Sequence, residues 1–227
     1  VVGNNTNGEF TYFLEDANSA SNSGTMGLSN SNSRGIHVGD TFTNSGTMTI
    51  TNSDDDALFV AVSGVFNNSG TLTIATTNGG AADGIDNGGS VTNTGTITIS
   101  GIADHVIENS ANVINNSGGI LNIHDSDSEV DATAVTLNTG STIAPGNPGI
   151  INFDNSEDFS ATTVAIDIID NDGVAGTDFD QILLNAGTAT LGGTSILAVT
   201  FDYLPSVGLK FQIINAPSIS GTFVTLS

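Results

Sequence analysis

Acidic side chains at alternate positions are the residues of this chain best suited to chemistry, and that chemistry is the binding of a hard cation. Asp170, Asp172, Asp178 and Asp180, within the segment DNDGVAGTDFD, offer carboxylate oxygens of the kind Ca2+ takes. Asp54 to Asp56 and the run Asp125-Ser126-Asp127-Ser128-Glu129 offer more of the same. None of these segments spells the full EF-hand loop. Solvation of an acidic surface is the commoner use of such groups, so no cofactor is expected, and Ca2+ at Asp170, Asp172, Asp178 and Asp180 is the alternative to it.

Other chemistries find less support. His37, His105 and His124 stand far apart, and none has the HExxH spacing of a zinc hydrolase. There is no GxSxG elbow and no phosphate loop. A polyanion lyase needs cationic side chains at its cleft, yet Arg34 and Lys210 are the only Lys or Arg residues and lie far apart in the chain. Carboxylates such as Asp54 to Asp56 would suit a glycosidase if two faced one cleft, so a carbohydrate-active enzyme is the alternative to a non-enzymatic protein. The pairs Thr47 and Thr49, Thr71 and Thr73, Thr96 and Thr98 would order water on a flat face, which makes an ice-binding module a further alternative. The expectation is a protein that is not an enzyme.

Composition narrows the partners. Two Lys and Arg against 24 Asp and Glu give a formal charge of −22, which repels nucleic acid and anionic membrane surfaces. No run of 18 apolar residues occurs, so no membrane insertion is expected. There is no Cys, which excludes disulfides and thiolate metal sites. VVGNNTNGEF lacks the charged and apolar regions of a signal peptide, and the chain is expected to be a mature or trimmed form.

The elements that would position all these groups are set by a repeat. A turn of Asn, Ser or Thr, then Gly begins at Asn22, Asn44, Asn68, Asn93, Asn116 and Asn138, so it returns every 22 to 25 residues. The best copies continue as SGTMTI, SGTLTI and TGTITI, whose alternation is that of a strand with one buried face. That reading places Met26, Met48, Leu72, Ile97 and Leu121 in one inward column and Leu28, Ile50, Ile74, Ile99 and Ile123 in another. Phe42, Phe66, Val91 and Ile114 form a further apolar column before the turns, and Val60 and Val62 belong to a cluster midway between them. A short unit repeated at this period must stack on its neighbours to bury its apolar face, and Gly and Asn corners between short strands predict a parallel β-helix. The six Asn residues are expected to form a structural ladder of amides from rung to rung, and Asn and Gly to supply the left-handed backbone of the bend.

Three segments follow: 1–20 as an N-terminal cap or pairing strand, with Phe10, Tyr12 and Leu14 alternating, 21–143 as the repeat, and 144–227 as a β-rich continuation and cap. In the last segment APGNPG, GTDFDQI and ATLGGTSILAV occur in that order. With the NSGTLTI repeats upstream, the chain resembles autotransporter passenger domains and related bacterial β-helix adhesins. The resemblance implies a right-handed parallel β-helix, secreted by a bacterium and displayed at its surface or released, with a structural or adhesive role. Its implied partners are host or neighbouring-cell surface glycans or proteins. The repeated strand edges at the two ends of a coil add a partner of their own, a second copy joined end to end in a filament.

Overall fold

The computed structural model describes residues 2–4, 13–14, 19–109, 111, 113–124, 129–131, 135–146 and 148–227, with backbone alone at 2–4, 13–14 and 109. Among them the chain is all-β, without a helix, and its strands pair in parallel across successive layers of a β-solenoid. The longest face is a sheet of ten strands that includes Thr25–Ser31, Thr47–Ser53, Thr71–Thr77, Thr96–Ser100 and Ile120–His124 and ends at Thr225–Leu226. A second face has nine strands, among them Ile36–Val38, Leu58–Val60, Ile85–Asn87 and Ile107–Asn109. A third has six, from Ala20–Asn22 to Val135–Leu137, and three strands, Glu157–Asp158, Thr188–Thr190 and Ser218–Ser220, form a separate sheet in the later layers. Ten strands separated by about 4.8 Å make a stack about 43 Å long. No helix among the described residues is long and apolar enough to cross a membrane.

Alternation and register together build the core. Met26 pairs with Met48, Met48 with Leu72, Leu72 with Ile97 and Ile97 with Leu121, while Leu28, Ile50, Ile74, Ile99 and Ile123 stack two positions on. All ten are buried. Each such side chain contributes about 1.5–3 kcal/mol by leaving water. On the third face the rings of Phe42 and Phe66 stack at 5.8 Å, followed by Val91 and Val113. Here the structure corrects two expectations: the inward residue of the fifth layer is Val113, not Ile114, and Val62 is 86% exposed in the turn after Leu58–Val60. Phe10, Tyr12, Asp125 and Asp127 lie outside the described residues, as does the side chain of Leu14.

The amide ladder exists, with a change of membership. Asn22 donates Nδ2–H to Asn44 Oδ1 at 2.8 Å, Asn44 to Asn68 at 2.7 Å, Asn68 to Asn93 at 2.8 Å and Asn93 to Asn115 at 2.8 Å. Each Nδ2 also donates to a carbonyl of the next layer, as from Asn68 to Thr96 O at 3.1 Å. Asn44, Asn68, Asn93 and Asn115 are buried, so these bonds replace water for groups that would be costly to leave unpaired. Asn116 and Asn138 are not in this ladder; they bond to each other at 2.8 Å on the exposed side. The reason is a longer corner. Three positions separate Asn93 from Thr96, but five separate Asn115 from its in-register Ile120, so the Asn-Ser-Gly word shifts outward by one residue. Leu137 then takes the ladder position of the sixth layer.

The glycine of the repeated word is required by proximity rather than by backbone twist. Gly46, Gly70 and Gly95 do not have positive φ; a Cβ on any of them would overlap the carbonyl oxygen of the glycine one layer below. The left-handed backbone sits at the opposite end of the long face, at Asn30, Asn52, Thr76 and Gly101, with φ of 54° to 65°. Within the Asn-Ser-Gly corners, the left-handed glycines are Gly118 and Gly140 of the longer fifth and sixth turns.

Two contrasts follow for stability. Gly70→Ala should cost about 3 kcal/mol, whereas Gly27→Thr, where a Cβ meets nothing within 4 Å, should be neutral or stabilising, as read by urea unfolding. Asn68→Leu strands partners on both sides and should cost about 2–3 kcal/mol, while Asn115→Leu, whose upper neighbour is already Leu137, should cost clearly less. Equal losses for the two asparagines would contradict the ladder as the source of the effect.

Candidate functional site

Stacking brings together polar side chains that the sequence keeps more than twenty residues apart. Ile36, Leu58, Ile85 and Ile107 are in register on the second face, so the residues two positions earlier, Arg34, Asp56, Asp83 and His105, form a column at the corner that leads into it. The outward residues of the same strands make a neighbouring column of His37, Phe59, Asp86 and Glu108. Gly84 lets the layers close up, because a Cβ there would run into Val106 O and Ile99.

The lower end of the site carries its cation, Arg34, between two carboxylates. Arg34 Nε donates to Asp56 Oδ2 at 3.0 Å, lies 3.6 Å from Asp55 Oδ2, and its Cζ stands 3.5 Å over the Phe59 ring. His37 meets the same ring edge-on at 4.7 Å, and burial, with the Arg34 charge second, lowers its pKa. Above, the charges are all acidic. Burial, with Asp55 second, raises the pKa of Asp56 despite its pairing with Arg34. Asp83 is buried and its carboxyl is raised to about 8, first by burial and then by a hydrogen bond with Glu108. Asp86 rises to about 6, chiefly by burial, then by the charges of Asp56 and Glu108.

The upper end carries the donor set. Asp83 Oδ1 accepts the backbone N–H of His105 at 2.9 Å and lies 3.6 Å from His105 Nδ1. Asp83, His105 and Glu108 place ligand atoms within 4.8 Å of one another, and no other such trio occurs among the described residues. Two of the aspartates named as Ca2+ candidates hold backbone N–H groups. Asp180 accepts backbone N–H groups from Gly149 and Asp167 on its two oxygens, and Asp178 accepts that of Val174, which pins the loop to the coil. Asp170 and Asp172 are exposed, and no three of the four bring oxygens within 4.8 Å of each other. Thr47, Thr71 and Thr96 stack in register, as do Thr49, Thr73 and Thr98 beside them.

Asp83, Asp86 and Glu108 are not among the residues that spacing singles out, and His105 enters there only as one of three histidines far apart in the chain. The signal was there: Arg34-Gly35-Ile36, Asp56-Ala57-Leu58, Asp83-Gly84-Ile85 and His105-Val106-Ile107 each run polar, small or aliphatic, then buried apolar. Aligning the layers on these triplets stacks the four polar residues.

A second polar feature lies where the third face stops. Val135–Leu137 and Glu157–Asp158 line a cleft of about 560 Å³. Glu157 is buried, and burial lifts its carboxyl to about 8. No protein-family model, no curated protein and no solved structure matches the chain. Its class, a parallel β-solenoid, rests on its own strand register.

Glu157 gives a pH test. Its ordinary value is 4.5 and its folded value about 8, so the folded state holds the extra proton between them and stability declines as pH rises through that window. Thermal midpoints of Glu157→Gln from about pH 5 to about pH 9 should decline less than those of the wild type, and the variant should be the more stable at the alkaline end. An unchanged slope would refute a buried, protonated Glu157.

Proposed function

We propose that this protein is a non-enzymatic, structural or adhesive β-solenoid of the bacterial exterior whose rods join end to end. One observation carries the reading: the layer formed by Ser218–Ser220 and Thr225–Leu226 turns apolar side chains and a strand edge outward. Ile219, Val224 and Leu226 are 50%, 61% and 74% exposed. Leu226 also lines a groove of about 460 Å³ with Ile168, Val199, Phe201, Phe211 and Ile213. An exposed strand edge with apolar side chains is a template for another strand, and a second copy that adds its strands there makes a head-to-tail contact that propagates.

Charge supports the same arrangement. A net charge of −22 repels rods side by side, which favours axial contact over lateral clumping. The resemblance of the APGNPG to ATLGGTSILAV region to autotransporter passengers and bacterial adhesins supports the extracellular setting and, as partners besides itself, surface glycans or proteins.

Sedimentation and electron microscopy of the 227-residue chain test the reading. The rods should lengthen with protein concentration and salt, and Leu226→Lys or Ile219→Lys should return them to single particles without loss of β structure. A chain that stays monomeric at every concentration and salt level, or associates equally well with both lysines in place, would overturn end-to-end joining.

A further inference from the structure

We propose that Asp83, His105 and Glu108 form a binding site for one divalent transition-metal ion of the zinc type, on the flank of the coil and independent of any joining at its ends. The first support is geometric. Three donors drawn from two adjacent layers converge within 4.8 Å, and the 3.6 Å between His105 Nδ1 and Asp83 Oδ1 is close to the edge of a tetrahedron with bonds of about 2.1 Å, which is about 3.4 Å. His105 and Glu108 are three residues apart, one at the corner and one on the strand, and Asp83 is the in-register neighbour of His105.

The second support is the state of the imidazole. His105 Nδ1 is enclosed and makes no hydrogen bond, although it faces Asp83 Oδ1 at 3.6 Å and Asp104 Oδ1 at 3.5 Å. A ring nitrogen held among carboxylate oxygens at these separations is placed to share a small cation with them. The donors are also held in place from behind, since the backbone N–H of His105 fixes the Asp83 carboxylate, as outer hydrogen bonds do in metal sites. Glu108 is exposed, so the ion has a path from solvent and an open position for water. One imidazole with two carboxylates suits Zn2+, Co2+ or Mn2+; the all-oxygen preference of Ca2+ does not fit the histidine.

Calorimetry and equilibrium dialysis with ZnCl2, on the full chain without a polyhistidine extension, should show one ion bound per chain. His105→Ala and Glu108→Gln should each weaken binding at least about tenfold. The double variant Asp170→Asn, Asp172→Asn should bind as the wild type does. Co2+ added to the wild type should give the visible absorption of a bound, low-symmetry ion that excess Zn2+ displaces, a readout that needs no variant to fold. The proposal fails if zinc is not taken up, if both single variants bind undiminished, or if Ca2+ binds this site in place of zinc.

Discussion

Parallel stacking at about 4.8 Å is the constraint on which the rest of this molecule depends. Backbone hydrogen bonds between layers hold each residue over a counterpart in the next, so a side chain's nearest neighbours are its own equivalents above and below. Only groups that can bear their own kind at that distance fit. Aliphatic side chains do so by packing, and phenylalanine does so by stacking, as Phe42 does on Phe66. Asparagine does so because one amide carries both a donor and an acceptor, and the chain from Asn22 to Asn115 uses both. Glycine does so where carbonyls of the next layer leave no room for a Cβ, as at Gly46, Gly70 and Gly95.

Carboxylates do not fit this rule, which makes the Arg34, Asp56, Asp83, His105 column the exception to explain. Asp56 is compensated by Arg34. Asp83 and Glu108 have no cation of that kind between them, and burial, then the hydrogen bond with Glu108, raises the Asp83 carboxyl. A column of acids in successive layers is an unfavourable arrangement for a structural coil. The coil thus carries two separate features, exposed apolar side chains at Ile219, Val224 and Leu226 and a polar cluster along its second face.

Repetition also explains how the coil survives local changes. The fifth and sixth corners contain two more residues than the earlier ones, yet Ile120 and Thr142 return to register with Thr96. The surplus is taken up by the left-handed Gly118 and Gly140 at the surface. Where the ladder ends, Leu137 fills its place with an apolar group, and Asn115 keeps only the bonds to the carbonyls of Gly119 and Thr142, the kind that Asn68 and Asn93 make beside their amide link.

The repeat by itself determined the class of fold, the inward columns from Met26 to Leu121 and from Leu28 to Ile123, and the existence of an asparagine ladder, because period and alternation are local properties of the chain. Tertiary structure decided whatever depends on register between layers of unequal length. It chose Asn115 over Asn116 and Val113 over Ile114, since a longer corner moves the word but not the stack. It used Asp178 and Asp180 to fasten a loop by backbone N–H groups, which no spacing of aspartates reveals. It also brought Asp83 beside His105 and Glu108, because contacts between layers form across a whole turn of chain, and the length of that turn varies while the 4.8 Å step does not.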